Sequence, residues 1–188
     1  EEKVDGANLG LSVGPDGLMR AQNRGTWLKR GGHAQFDGLW AWIDQRQADL
    51  AETLGEHLML FGEWCLAVHS VKYADLPDWF LGFDVYDRIA SRFWDAVRRD
   101  ALLKDLRLAS VPRLAQGQFT VTELRNMLSQ PSKVGGDSLE GIYIRADETG
   151  WLKARAKIVR PEFVQAIDEH WSRGPIRRNS VRKHGGMR

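Results

Sequence analysis

Gly141-Ile142-Tyr143-Ile144-Arg145 and Leu152-Lys153-Ala154-Arg155-Ala156-Lys157-Ile158-Val159, separated by a polar turn at Asp147 to Gly150, read as two strands joined through that turn. Working outward from them, Leu58 to His69 (LMLFGEWCLAVH) reads as a buried strand interrupted by Gly62, where backbone or ligand can approach closely. Trp79 to Tyr86 (WFLGFDVY) is a second, aromatic strand. Near the start, Ala7 to Val13 runs into Gly14-Pro15-Asp16-Gly17, strong turn chemistry, and Leu18 to Ala21 returns as a hairpin. Between these segments the period changes. Leu39, Trp42, Ile43, Leu50 and Leu54 recur at helical spacing and predict one long amphipathic helix from Phe36 to Leu58. A second helix is expected from Ser91 to Leu103, and a short third after Thr120, where Thr120-x-x-Glu123 forms a capping box. A fourth begins at Pro161 and covers Glu162 to Trp171, with Phe163, Ile167 and Trp171 on its apolar face. Strands and helices mix without a βαβ rhythm. The expected fold is therefore α+β, with antiparallel sheets flanked by helices.

At 188 residues the chain fits one domain, and roughly 70% of its unfolded surface can be buried without disulfides or metals. A balance of 43% hydrophobic and 28% charged residues excludes disorder and fibre. No apolar run approaches the length of a membrane span, so no membrane partner is expected. A single cysteine, Cys65, excludes a disulfide framework and any zinc site built from several thiolates, and fits a reducing cytoplasm. The net charge of +2 conceals an asymmetry: from Arg173 onward there are six Lys or Arg and no acid, so the body carries 21 bases against 25 acids. The expected organisation is a core over residues 1–172 and a basic tail over 173–188 able to attract phosphate.

Several familiar sites are missing from the sequence. It has no GxGxxG fingerprint, no GxxxxGK phosphate loop and no HExxH motif, and its five histidines lack ligand spacing. What remains is a set of charged insertions beside strands. Glu2-Lys3-Val4-Asp5-Gly6 sets a lysine and an aspartate two apart, on one side of an extended segment. Phe61-Gly62-Glu63-Trp64 and Phe83-Asp84-Val85-Tyr86 each put a carboxylate in an aromatic strand, which is costly unless it is paired or hydrogen-bonded. Glu140 stands at the mouth of an apolar strand, and Lys153, Arg155 and Lys157 share one face of another.

In this order the segments resemble the nucleotidyltransferase motifs of ATP-dependent RNA and DNA ligases and mRNA capping enzymes. Lys3-Val4-Asp5-Gly6 is similar to the nucleophile motif, Phe61-Gly62-Glu63 to the third motif, and Phe83-Asp84 to the aromatic motif that follows it. Glu140-Gly141 resembles the fourth and Arg155-Ala156-Lys157 the fifth. The wording of Glu2 to Gly10 and Phe61 to Asp84 looks most like RNA ligases of the phage nick-sealing type. Two departures stand out: Arg155 takes the place of a usual lysine, and the chain begins two residues ahead of the nucleophile. An upstream segment is accordingly expected ahead of this catalytic core, which does not include the OB-fold module that many relatives carry.

The resemblance implies that Lys3 attacks the α-phosphorus of ATP and carries AMP, which then passes to a 5′-phosphate end that is sealed to a 3′-hydroxyl. RNA is the favoured nucleic acid. It implies that Arg155 and Lys157 grip the α-phosphate and that Glu63 accepts from the ribose. It further implies that Phe83 stacks on adenine, that Glu2 and Arg24 lie at the nucleotide, and that Asp5 and Glu140 hold Mg²⁺ or Mn²⁺ largely through waters. An ordinary lysine, with a pKa near 10.4, is neutral at pH 7 only at a cost of about 4.6 kcal/mol, so its activation is the central chemical problem. The alternatives are a GTP-dependent capping guanylyltransferase, an ATP-dependent DNA ligase core and, from another class, a non-catalytic nucleic-acid-binding module.

Overall fold

The computed structural model describes residues 1–165 and 175–182. Two sheets organise them. The smaller is antiparallel and contains β1 (Glu2–Lys3), β9 (Gly141–Glu148) and β10 (Trp151–Val159), with β9 in the middle. The larger runs β4 (Thr26–Trp27), β3 (Met19–Asn23), β2 (Ala7–Val13), β5 (Leu58–Trp64), β6 (Phe80–Asp87), β7 (Arg92–Phe93), all antiparallel, and β8 (Ala109–Ser110) pairs parallel to β6. The antiparallel α+β expectation holds.

Alternation decides what each face does. Leu9 and Leu11 of β2, Leu60 and Trp64 of β5, and Phe80 and Val85 of β6 are buried in one cluster with Leu39, Trp42 and Ile43 of α1 (Leu39–Asp44) and Leu50 and Leu54 of α2 (Gln47–Leu54). Leu102 and Leu103 of α3 (Ala96–Asp105) close its other end. The opposite face of the large sheet carries Asn8, Phe61 and Glu63 and turns toward the small sheet. A second cluster, with Val4, Cys65, Val71, Tyr73 and Leu76, lies under the crossing between the two sheets.

The single helix expected from Phe36 to Leu58 is two. The chain breaks at Arg46 (φ −122°, ψ 3°), among the six residues between Ile43 and Leu50, none of which is buried in the core. The Leu58 to His69 strand stops at Trp64, because Cys65 N–H donates to Trp79 O and the next residues bend away as a loop. The helix expected from Ser91 starts only at Ala96, capped by the Asp95 carboxylate on Arg98 N–H; Arg92 and Phe93 pair with β6 instead. The capping box forms as read, Thr120 and Glu123 satisfying each other's backbone at the start of α4 (Val121–Met127). Pro161 starts α5 (Pro161–Gln165); Ile167, Trp171 and the proposed boundary at 172 fall outside the described residues.

Gly62 has the close approach its sequence context suggested. A Cβ there would lie 2.4 Å from the Phe80 ring and 2.5 Å from Leu81 O, where the β5–β6 register shifts. Gly62→Ala is expected to lower stability by about 1–3 kcal/mol through overpacking. Urea unfolding measures it, and a shift indistinguishable from zero would contradict the packing described.

The tail expected to be a separate basic segment is described only over 175–182, and there it is tied to the body. Arg177 O accepts from Val68 N–H, Asn179 N–H donates to Leu66 O, and Ser180 exchanges bonds with Tyr73 and Leu76. Of its bases, Arg173, Lys183 and Arg188 lie outside the described residues.

Candidate active site

Lys3 belongs to the small sheet: its backbone pairs with Gly141, one residue after Glu140. That register brings Lys3 Nζ to 2.6 Å from both Glu140 carboxylate oxygens, with the two side chains 25% and 11% exposed. Burial raises the proton affinity of Glu140, a push that Asp5 reinforces and Lys3 opposes. Glu2, the neighbour on the strand, points to the other face. It is buried and accepts from Ser132 Oγ (2.5 Å) and Lys133 N–H (2.9 Å). Its carboxylate is thus committed to the 132–134 loop.

Asp5 sits where the chain crosses from β1 to β2. Its Oδ2 accepts from Ser70 N–H (2.6 Å) and Val71 N–H (3.1 Å), its own N–H donates to the Tyr73 hydroxyl oxygen (2.8 Å), and His69 Nδ1 lies 3.9 Å from Oδ1. Among the described residues no group of three or more His, Cys, Asp or Glu is arranged to hold a metal. Glu140 and Asp5, each already engaged, fit a hydrated Mg²⁺-type ion carried mainly by phosphate oxygens rather than a protein cage.

Between the sheets is a cavity of about 520 Å³, lined by Asn8, Phe61, Phe83, Tyr143, Arg155 and Lys157 among others. Lys3, Glu63 and Glu140 do not line it, but Glu63 stands opposite its lining residue Asn8 in the β2–β5 register, its lining residue Lys157 acts on Glu140, and the charges of Lys3, Glu140 and Arg24 all act on Glu63. A second cavity, about 340 Å³, lies among Phe119, Leu124, Met127 and Ile142 and touches none of the motif residues.

The two strand carboxylates have opposite fates. Asp84, buried, accepts from Arg145 Nη1 and from Arg155 Nη1 (2.9 Å), so it ties the large sheet to the small one. Glu63 Oε2 is buried with no hydrogen-bond partner. Burial above all, aided by Asp5 and Glu140 and opposed by Lys3 and Arg24, pushes the Glu63 carboxyl from the usual 4.5 up to about 8. An unmatched acceptor beside an aromatic-lined cavity is what a sugar hydroxyl would satisfy.

Glu63 also makes a stability prediction with a definite sign. Between pH 4.5 and about 8 the folded protein keeps a proton that the unfolded chain has released. Its contribution is therefore full below about pH 4.5 and lost as the pH rises to about 8. Glu63→Gln, neutral throughout, removes this slope, and its advantage over wild type in melting temperature should grow from pH 5 to pH 8. A constant difference across that range would refute the perturbed carboxyl.

The three bases of β10 separate. The β9–β10 register shifts between Leu152 and Ala154, and at that irregularity Lys153 points to solvent, 61% exposed and 3.1 Å from Glu148. Arg155 and Lys157 face the cavity; the Arg155 guanidinium lies 4.6 Å from the Phe93 ring centroid, and Lys157 acts on Glu140. Arg24 is exposed in the β3–β4 turn with a positive φ of 52°. Sequence reasoning missed Arg145, Tyr73 and Asn179, whose partners Asp84, Asp5 and Tyr73 lie 61, 68 and 106 residues away and leave no local pattern. His69 had a sequence cue, its neighbour Ser70, but not its partner Asp5.

A family model described as RNA ligase matches residues 1–159. Among solved structures, Naegleria gruberi RNA ligase with pyrophosphate is similar at 20% identity and a TM-score of 0.65, over 89% of this chain and 50% of that one. A point variant of it with ATP and Mn is similar at 17% identity and 0.64, over 89% and 50%. Another, with AMP and Mn, is similar at 17% and 0.63, over 87% and 49%. The chain spans about half the length of these solved chains, and at this identity the likeness is one of fold. No curated protein sequence matches. The family model covers every motif from Lys3 to Lys157, and on that breadth the chain belongs to the RNA ligase family.

Proposed function

We propose that this chain is the nucleotidyltransferase core of an ATP-dependent RNA ligase with Lys3 as its nucleophile. The observation that carries this is the Lys3–Glu140 contact, whose charges act on the unmatched Glu63 carboxyl. The ATP, AMP and Mn of the similar Naegleria structures support a nucleotide and a divalent metal as ligands.

Lys3 Nζ is held by both Glu140 oxygens. Attack requires loss of a proton, and Glu140, its proton affinity raised by burial, is in contact to receive it. A bond then forms from Nζ to the α-phosphorus while the bond to pyrophosphate breaks. Arg155 and Lys157 supply positive charge for the α-phosphate oxygens as charge develops there. Glu63 takes the ribose, Phe83 and the neighbouring rings the adenine, and Arg24 the phosphate-side mouth. Glu2 contributes through the strand it anchors. Glu140, with Asp5 nearby, would hold Mg²⁺ or Mn²⁺ largely through waters, and the ion would supply charge neutralisation.

In the second step AMP moves from Nζ to the oxygen of a 5′-phosphate, and Lys3 regains its proton. In the third, a 3′-hydroxyl attacks that 5′-phosphorus, AMP departs and the hydroxyl proton leaves to solvent. Such sealing is RNA repair, in a cytoplasmic setting consistent with the single buried Cys65. The bases of the 173–188 tail extend the surface available to the RNA backbone. No helix among the described residues is long and apolar enough to cross a membrane.

Intact mass after incubation with ATP and Mg²⁺ is the test: a gain of one AMP is expected. A GMP adduct from GTP alone would mean a guanylyltransferase, and no adduct with either nucleotide would support the non-catalytic module.

A further inference from the structure

We propose that Asn179 is a positioning residue for Lys3: through this amide the C-terminal segment fixes the loop on which the nucleophile strand rests. The inference depends on Lys3 being the nucleophile. Asn179 is 4% exposed. Its Oδ1 accepts from Tyr73 N–H (2.7 Å), and its Nδ2 donates to Cys65 O (2.8 Å) and Ala67 O (3.2 Å). Two carbonyls facing Nδ2 fix the orientation of the amide. One side chain therefore clamps both ends of the 65–73 loop, and the backbone bonds of Arg177, Asn179 and Ser180 repeat the tie.

That loop is what holds Asp5. Ser70 and Val71 N–H donate to the Asp5 carboxylate, the Tyr73 hydroxyl accepts from Asp5 N–H, and Val4 packs in the same cluster as Cys65, Val71 and Tyr73, with Val181 against it. A Cβ at Gly6 would come within 2.8 Å of Trp64 O, so the nucleophile segment lies directly on the start of the loop. Three links thus join residue 179 to residue 3: amide to loop, loop to Asp5, and Asp5 through Val4 to Lys3. Asp5 acts in this chain as a backbone anchor. An error of about 1 Å in a nucleophile's place can cost on the order of a hundredfold in rate.

The test is single-turnover formation of lysyl-AMP over a range of ATP concentrations, with melting temperature measured on each protein. Wild type is compared with Asn179→Ala, Tyr73→Phe, and Arg20→Ala, which removes the exposed Arg20–Asp16 pair. Asn179→Ala and Tyr73→Phe are expected to lower the saturating rate constant by about tenfold or more, leaving the half-saturating ATP concentration little changed. Arg20→Ala should match wild type in both. If Asn179→Ala does not fold, Tyr73→Phe, which loses one oxygen and keeps its ring, decides. An unchanged saturating rate constant, whatever happens to the melting temperature or the fraction labelled, would overturn the proposal and leave the segment a mere stabiliser. So would a loss confined to ATP affinity. Lys3→Ala runs in parallel: if that protein still takes up AMP, it is the nucleophile assignment that fails.

Discussion

Lys3→Ala is expected to take up no AMP under conditions where the wild-type chain gains one, and the same is expected of Lys3→Met. The effect is all or none because no other amine stands in for Nζ in contact with Glu140 among the described residues. Removing the lysine also strips a partner from Glu140, a carboxyl whose proton affinity burial already raises, so the variants will hold Glu140 protonated more readily. That adjustment limits the structural damage: a carboxyl that neutralises avoids the cost of an unpaired buried charge. The melting temperature should fall modestly while labelling disappears. Intact mass and a thermal melt on the same sample separate the two, and a Lys3→Met protein that labels at the wild-type level would end the assignment.

The second large effect belongs to β10. Arg155→Ala and Lys157→Ala should each slow AMP transfer by about 2.7–4 kcal/mol, the usual cost of losing one donor aimed at developing charge. Lys153→Ala should be nearly silent, since its amine is 61% exposed and paired only with Glu148. Arg155 carries a second duty: it is one of two guanidiniums on Asp84, which is 2% exposed at its side chain. Arg155→Ala should therefore also lower stability, whereas Lys157→Ala should not. A severe loss at Lys153 with mild losses at 155 and 157 would shift the catalytic pair two residues toward the turn. The rate of labelling and the melting temperature, measured on all three variants, decide the matter.

The site was legible where its chemistry is written in adjacent residues. Lys3 with Asp5, Gly62 with Glu63, and Arg155 with Lys157 are spaced by two or less, so a strand's alternation fixes their face before any tertiary contact is known. The β10 irregularity that divides Lys153 from its neighbours was not legible, because it depends on pairing with β9 rather than on β10 itself. The same holds for the helix starts. The helix was expected from Ser91, yet Arg92 and Phe93 pair with β6, and Asp95 is the first residue after that pairing able to cap. Asp84 illustrates the limit most plainly: its sequence context demanded a partner, but Arg145 and Arg155 stand 61 and 71 residues away. Asn179 gave no warning at all, an asparagine in a basic tail being ordinary until its three buried bonds are seen.

The crossing at Val4 to Gly6 has a mechanical consequence. Lys3, Glu140, Arg155 and Lys157 ride on one plate, the small sheet, while Glu63 and Phe83 ride on the other. Under the proposed function the two plates divide the work, the large sheet holding the nucleoside and the small sheet the phosphate, with Lys3 mounted beside the crossing. Asp84, hooked on Arg145 and Arg155 from across the gap, is one tie among several between the plates, beside the Trp94–Trp151 bridge and the Asp147 carboxylate that accepts from Ala96 N–H. A nucleotide that drew Arg155 toward its phosphate would leave Asp84 on a single guanidinium while those other ties still joined the plates.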